Sequence, residues 1–374
     1  MSSCPRMYPR RMRGCVHAFR RAPSCTAGRA VIRPAAVLPF AGTLVRMQIR
    51  TQVQGNPVVD EVSALVAVIR PILNGLLWGL KSEVAAQVGG PENVKLMMLA
   101  RLVRPGDGDL GICFEYAVHN ALRAGEQAVV ERVDDALSRL CGVSGNQLDS
   151  ILFAAEKTGS EQLINTAREL ITPESRLMSG SAGAPVKLHK HVEGIAQALR
   201  RPTARKALPS SIAGVWKADL FLGKTDSDRW VATTVKSNPS GLEGARGLRI
   251  GIVPANEAGT DRPFMDDKRR LAVCPLPYEG SFMETFYKGW EIVQQFLAAD
   301  AKLPPMAALP RPPARHVADL LAERREFPVV DVMEHLRAIA QPELLQTEEE
   351  QVSVVLTRGE LTTDTVIAPE PQRT

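Results

Sequence analysis

The chain has 374 residues, of which 45% are hydrophobic, 23% charged and 5% aromatic, with 28 Gly, 27 Pro and six Cys. That is enough for one large domain or two ordinary ones; it excludes a collagen-like, coiled-coil or wholly disordered chain and a small disulfide scaffold. Residues 1–50 hold ten Arg and no Asp, Glu or Lys, so removing those ten charges from the net +5 leaves −5 for residues 51–374, and the overall basicity is no argument that the folded body binds nucleic acid.

Residues 1–46 open Arg-rich and acid-free, as an organellar transit peptide does. Pro5, Pro9 and Pro23 interrupt any amphipathic helix there, and no single apolar core of a secretory signal is present. The segment is read as a disordered basic extension, with Met47 as an alternative start. The Cys outside it, Cys113, Cys141 and Cys274, form no C-x-x-C pair. That argues against a structural zinc site and for a reducing, cytoplasmic setting.

Val62–Leu80 is apolar, but Arg70 and Pro71 stand at its middle. A spanning helix needs about 20 consecutive apolar residues. The stretch reads as two helical pieces kinked at Pro71, used in packing or an oligomer contact and not in a membrane. Helical spacing covers 57–103, broken at Gly89-Gly90-Pro91. Gly106–Asp109 reads as a loop, 111–140 as helix divided at Gly125, 151–170 as an amphipathic helix stopped by Thr172-Pro173, and 179–185 as a flexible linker. Residues 186–207 form a basic helical stretch.

The period then shortens. Trp216–Leu222 and Arg229–Lys236 read as two strands around a turn at Gly223–Asp228. Residues 237–247 read as a loop or one short helix, Leu248–Val253 and Leu271–Cys274 as further strands, and Ser281–Ala299 as a long helix. A Pro-rich stretch leads to helices near 314–325 and 330–340 and an acidic, polar tail. Helices, then a strand cluster, then helices predict an α/β or α+β fold with a central mixed sheet flanked by helices. The expected divisions are a basic extension (1–46), a helical region (47–110), an α/β core (111–300) and a Pro-rich, helical, acidic end (301–374).

Two acids and a lysine in this order invite a chemical reading. Glu115 lies on a predicted helix, Asp219 on an apolar strand, and Lys236 at the end of the next strand. Strand side chains alternate, so Thr234 and Lys236 share a face. Phosphodiester hydrolysis needs a cation on the phosphoryl oxygen and a deprotonated water in line. Carboxylates hold Mg²⁺, and a nearby lysine offsets developing charge. As a basic run, Lys187, Lys190, Arg200, Arg201, Arg205 and Lys206 are candidate contacts to a nucleic-acid backbone, which makes binding salt-dependent. The same residues also fit a solvated face, and Asp219 with Lys236 also fits a cross-strand ion pair without chemistry.

The segments GICFEYAVHNAL (111–122), WKADLFLG (216–223) and RWVATTVK (229–236) resemble the PD-(D/E)XK nuclease superfamily, which includes many restriction endonucleases. That core is a helix bearing an acid, a hairpin bearing Asp and (Asp/Glu)-x-Lys, then further helix and strand; the resemblance covers roughly residues 110–300. It implies a restriction-endonuclease-like core and a Mg²⁺-dependent DNA endonuclease of restriction or phage-defence type. Asp219 would be a metal ligand, Lys236 the group beside the attacking water and Glu115 an auxiliary acid. It also implies double-stranded DNA as partner, a homodimer on a two-fold site and a cognate DNA methyltransferase. One position departs: Thr234 stands where the pattern has Asp or Glu. Glu243 and Glu115 are the acids that could substitute. Failing that, the chain is a non-catalytic DNA-binding or scaffold protein on the same fold. A small-molecule enzyme with a pocket around Glu115 is a third reading, without a cofactor motif to support it.

Overall fold

The computed structural model describes residues 47–52, 61–80, 82–103, 106–153, 169–178, 185–255, 262–278, 282–302, 309, 312–340, 353–358 and 366–367. The expectations for residues 1–46 and for the linker at 179–184 lie outside the described residues.

Two units are present, Gln52–Val352 and a smaller one made of Met1–Thr51 with Ser353–Thr374. In the smaller unit β1 (Met47–Gln52), β10 (Ser353–Arg358) and β11 (Val366–Ile367) form a three-stranded sheet in the order β1-β10-β11. The sequence reading had neither strand in the acidic tail.

The larger unit is α/β. Its mixed sheet runs β2 (Leu148–Leu152), β5 (Leu220–Lys224), β6 (Arg229–Val235), β7 (Leu248–Pro254), β9 (Leu271–Leu276), β8 (Phe264–Asp266). β2, β5 and β6 form an antiparallel meander. β7 and β9 then lie parallel to β6, and β8 closes the edge antiparallel to β9. Two short strands, β3 (Arg176–Leu177) and β4 (Val186–Lys187), extend the sheet beside the start of β6.

Both faces of the sheet are covered, so its strands are apolar on both sides and not simply alternating. Leu220, Leu222, Val231, Val235, Ile250 and Ile252 join a large core with helices α1 (Glu61–Gly79), α4 (Asp107–Ala124), α5 (Gln127–Asp135), α7 (Phe282–Ala298), α8 (Pro312–Glu323) and α9 (Val329–Ala340). Phe221, Trp230, Ala232 and Val253 face a smaller core with α6 (Val192–Arg200). The short helices α2 (Ser82–Ala86) and α3 (Leu96–Leu102) complete the amino-terminal side.

Helix α1 is the one helix among the described residues long and apolar enough to cross a membrane, and it is mostly buried in the protein. Its Ile69, Ile72, Leu73 and Val66 are fully buried, and it packs on α4, α7, α8 and α9. A Cβ built on Gly75 would lie 2.9 Å from the Cys113 Cα. Only glycine allows α1 and α4 this close an approach. The expected division at Pro71 is corrected: one helix runs through it. Pro71 is buried, so the packing of its neighbours holds the turn that its missing N–H weakens.

Four further expectations change. Gly106–Asp109 is the start of α4 and not a loop, with the Gly106 N–H donating to Asp109 Oδ2 at 3.0 Å. The helix expected over 151–170 gives way at its start to β2, whose Ile151 pairs with Phe221; residues 154–168 lie outside the described residues. The strand expected from Trp216 begins at Leu220, after a tight turn at Val215–Lys217. The basic stretch 186–207 divides into β4, a turn at Leu188–Lys190, α6 and a 3₁₀ segment at Pro202–Ala207. Other elements match: α4 stops at Gly125, whose φ of 77° is the left-handed cap that glycine favours, and α7 spans all but the ends of 281–299.

Candidate functional site

Asp219 stands one residue ahead of β5, yet its backbone is fixed on both sides. Its N–H donates to Thr233 O at 2.8 Å, and its carbonyl accepts from the Phe153 N–H at 2.8 Å. The β5–β6 register, Leu220 opposite Thr233, places Asp219 beside Thr234 on the next strand. Thr234 and Lys236 are two residues apart, so both project to the side on which Asp219 lies. The Lys236 N–H donates to Ile252 O at 2.9 Å, which extends the β6–β7 ladder one residue past the strand end.

The Asp219 carboxylate is buried, 1% exposed. Its Oδ2 accepts three hydrogen bonds, each of 2.9 Å, from Thr234 Oγ1, the Val235 N–H and Lys236 Nζ. A carboxylate removed from water requires this kind of compensation. The Lys236 amine also stands 3.7 Å from Glu115 Oε1. Glu115 comes from α4, with 8% of its side chain exposed, whereas 35% of the Lys236 side chain is open to solvent. Three groups distant in sequence thus meet around one ammonium. Two acids hold the amine from behind, and its open side faces the cleft.

The cleft has a volume of about 450 Å³ and is lined by Arg205, Trp216, Lys217, Asp219, Thr234, Lys236, Gly241, Glu243 and Leu248. The Arg205 guanidinium carbon lies over the Trp216 ring, 3.4 Å from its centroid. Lys217 Nζ pairs with Glu243 Oε2 at 3.4 Å.

The residues named from the sequence distribute as follows. Glu115, Asp219 and Lys236 come together. Glu243 lines the same cleft, but its carboxylate is taken up by Lys217. Among the described side chains of the basic run, Arg205 is the one that lines the cleft. Lys187 pairs with Glu174 at 3.5 Å. Lys190, Arg201 and Lys206 are exposed. Arg200 ends α6, and its side chain is outside the described residues.

Sequence reasoning missed the part played by Trp216 and the donor role of Thr234. The signal for Trp216 was a tryptophan three residues before the aspartate, hidden by assigning both to one strand. It also missed a polar contact that ties α4 to β2. One turn past Glu115 on α4, His119 Nδ1 lies 2.9 Å from Ser150 Oγ on β2. Burial, with Arg123 adding to it, pushes His119 down to about 3, so the imidazole is neutral.

As a divalent-cation site, the donor set is sparse. Mg²⁺ is commonly held by one or two carboxylates, with water and substrate phosphates completing the octahedron. Glu115 and Asp219 meet that count. Thr234 brings a hydroxyl where a third acid would strengthen the site, and among the described residues no group of three or more His, Cys, Asp or Glu stands together. Comparisons with protein-family models, with curated proteins and with solved structures found no match for this chain.

Proposed function

We propose that the protein is a Mg²⁺-dependent endonuclease acting on double-stranded DNA, of the restriction or phage-defence type, with its reaction centre at Lys236. The observation that carries this reading is the meeting of Asp219 and Glu115 on one amine, at 2.9 and 3.7 Å, where an antiparallel hairpin opens onto a cleft. The order of elements supports it too: an acid-bearing helix, an antiparallel hairpin, then a parallel strand.

The chain's own groups have definable work. Lys236 brings its amine to the lining of the cleft, where it can offset the charge that a phosphoryl oxygen gains during hydrolysis. Asp219 fixes the amine through a short ion pair, and Thr234 and the Val235 N–H hold Asp219 in turn. Glu115 is close enough to the amine to share in positioning a water beside it. Glu115 and Asp219 are the residues that would hold Mg²⁺, which would act as the Lewis acid on the phosphate.

A second reading rests on a specific observation. Asp219 Oδ2 already has three donors, and Thr234 supplies one of them where an acid would supply a ligand. This favours a DNA-binding or scaffold protein that keeps the arrangement without cleavage.

Plasmid DNA incubated with Mg²⁺ separates the two. Nicking or linearisation by the wild type, lost in Lys236→Ala and in Asp219→Asn, supports the nuclease. Cleavage retained by Lys236→Ala removes that residue from the reaction centre. DNA binding by wild type without cleavage in Mg²⁺ or Mn²⁺ supports the second reading.

A further inference from the structure

The cleft carries a cation that no part of the proposed chemistry uses. Arg205 sits in the 3₁₀ segment after α6. Its Nε donates to Ala198 O at 3.2 Å, and its guanidinium is stacked on Trp216 at 3.4 Å. These two contacts restrain the group from two sides. Among the described residues no carboxylate pairs with it. The neighbouring Lys217 differs, since Glu243 neutralises it at the rim. The other described members of the basic run are exposed or, for Lys187, ion-paired.

A guanidinium is itself a planar fork, and one restrained at Nε and over a ring keeps its remaining N–H groups available to match phosphate oxygens in a bidentate manner. Stacking on an indole restrains the side chain before any ligand arrives, so less rotamer freedom is lost on binding. The indole also screens one face of the cation without neutralising it.

We propose that Arg205, held by Trp216, is a phosphate-positioning residue of this cleft. It engages a phosphate neighbouring the one at Lys236, so the cleft takes a chain of linked phosphates and not an isolated one. This rests on the nucleic-acid reading of the site and adds to it the group that sets the substrate's register.

The test is equilibrium binding in EDTA, where no cleavage intervenes, with two probes: a short duplex oligonucleotide and inorganic pyrophosphate. Proteins are the wild type, Arg205→Met, Arg205→Lys, and Arg325→Met as a control that removes one cation outside the cleft. Arg205→Met should weaken duplex binding about tenfold and lower the slope of log K against log salt by about 1. Arg205→Lys should recover the slope but not the full affinity, because an ammonium cannot reproduce the planar fork. Thermal melting of each variant reports whether the fold is kept.

Weaker binding of both probes by Arg205→Met, about tenfold for the duplex, with Arg325→Met unchanged, supports the proposal. Duplex binding equal in wild type and Arg205→Met overturns it and leaves the nuclease reading standing. Arg205-dependent pyrophosphate binding without duplex binding supports the phosphate site and overturns the nucleic-acid reading. Binding of neither probe by wild type overturns both.

Discussion

Replacing Lys236 by Met removes the charge and keeps most of the stem. Asp219 then loses one of three hydrogen bonds to a single buried oxygen, and with it the cation at 2.9 Å. Removing one partner of a fully buried pair costs about 3–5 kcal/mol. Lys236 is 35% exposed on the cleft side, so water can enter once the amine is gone. Hydrogen bonds to charged groups are worth about 1.5–3 kcal/mol, and a loss of about 2 kcal/mol follows. A second contribution has the same sign. Asp219 and Glu115 lie 2.9 and 3.7 Å from one nitrogen, so their facing oxygens are no further apart than the sum of those distances, and Lys236→Met leaves two carboxylates without the cation between them. Urea denaturation followed by tryptophan fluorescence, run as a double-mutant cycle with Asp219→Asn, gives the coupling energy directly. The expected coupling is about 2 kcal/mol, and adding Glu115→Gln to Lys236→Met should recover part of the lost stability. A coupling below about 0.5 kcal/mol, the level at which distant sites simply add, would refute the argument that these groups form one sequestered unit.

Three further outcomes follow from packing and burial. His119 titrates near 6.5 when unfolded but is held at about 3 in the folded chain. The unfolded state therefore binds the extra proton first, and stability should fall as pH drops from about 6.5 toward 3; His119→Gln should flatten that part of the profile, and an unchanged acid profile counts against the burial argument. Gly75→Val drives a side chain into the Cys113 backbone and should cost about 1–3 kcal/mol or more by urea denaturation; a neutral result would mean that α1 and α4 are further apart than described. Cys113, Cys141 and Cys274 are buried, and burial raises all three thiols, Cys274 to about 12. With Cys4, Cys15 and Cys25 replaced by Ser, Ellman's reagent should find no reactive thiol in the native protein and these three in denaturant.

Much of the fold was legible where one physical signal dominated. The spacing of Phe282, Phe286, Trp290, Val293 and Phe296 announces α7, and each is buried in the large core. The β-branched run of Arg229–Val235 announces β6. The errors came where two signals compete. Residues Leu148–Leu152 form a short edge strand, half-buried at Leu148 and Asp149 and buried from Ser150 to Leu152, so five residues offer no period-two alternation and merged with the segment that follows. Pro71 is a helix breaker by local rules, yet the burial of α1 on four other helices outweighs one lost hydrogen bond. The strands β1, β10 and β11 pair segments from opposite ends of the chain, and local sequence holds no information on such a partner.

The candidate site divides the same way. Residue type and alternation bring Thr234 and Lys236 to one face, and a hairpin brings Asp219 to them. What no spacing rule gives is how many donors a carboxylate will find. Thr234 read as a missing acid, a gap in a ligand set. In the fold it is a hydroxyl that donates to Asp219 at 2.9 Å, so the position is occupied by a donor and not left open. An acid there would face Asp219 directly and would need a cation to be tolerated, whereas threonine makes the arrangement stable with Lys236 alone. The identity of this one side chain therefore sets whether the cluster demands a metal ion or can do without one. That is why cleavage with added Mg²⁺, and not the convergence of Glu115, Asp219 and Lys236, decides between a nuclease and a binding protein built on the same hairpin.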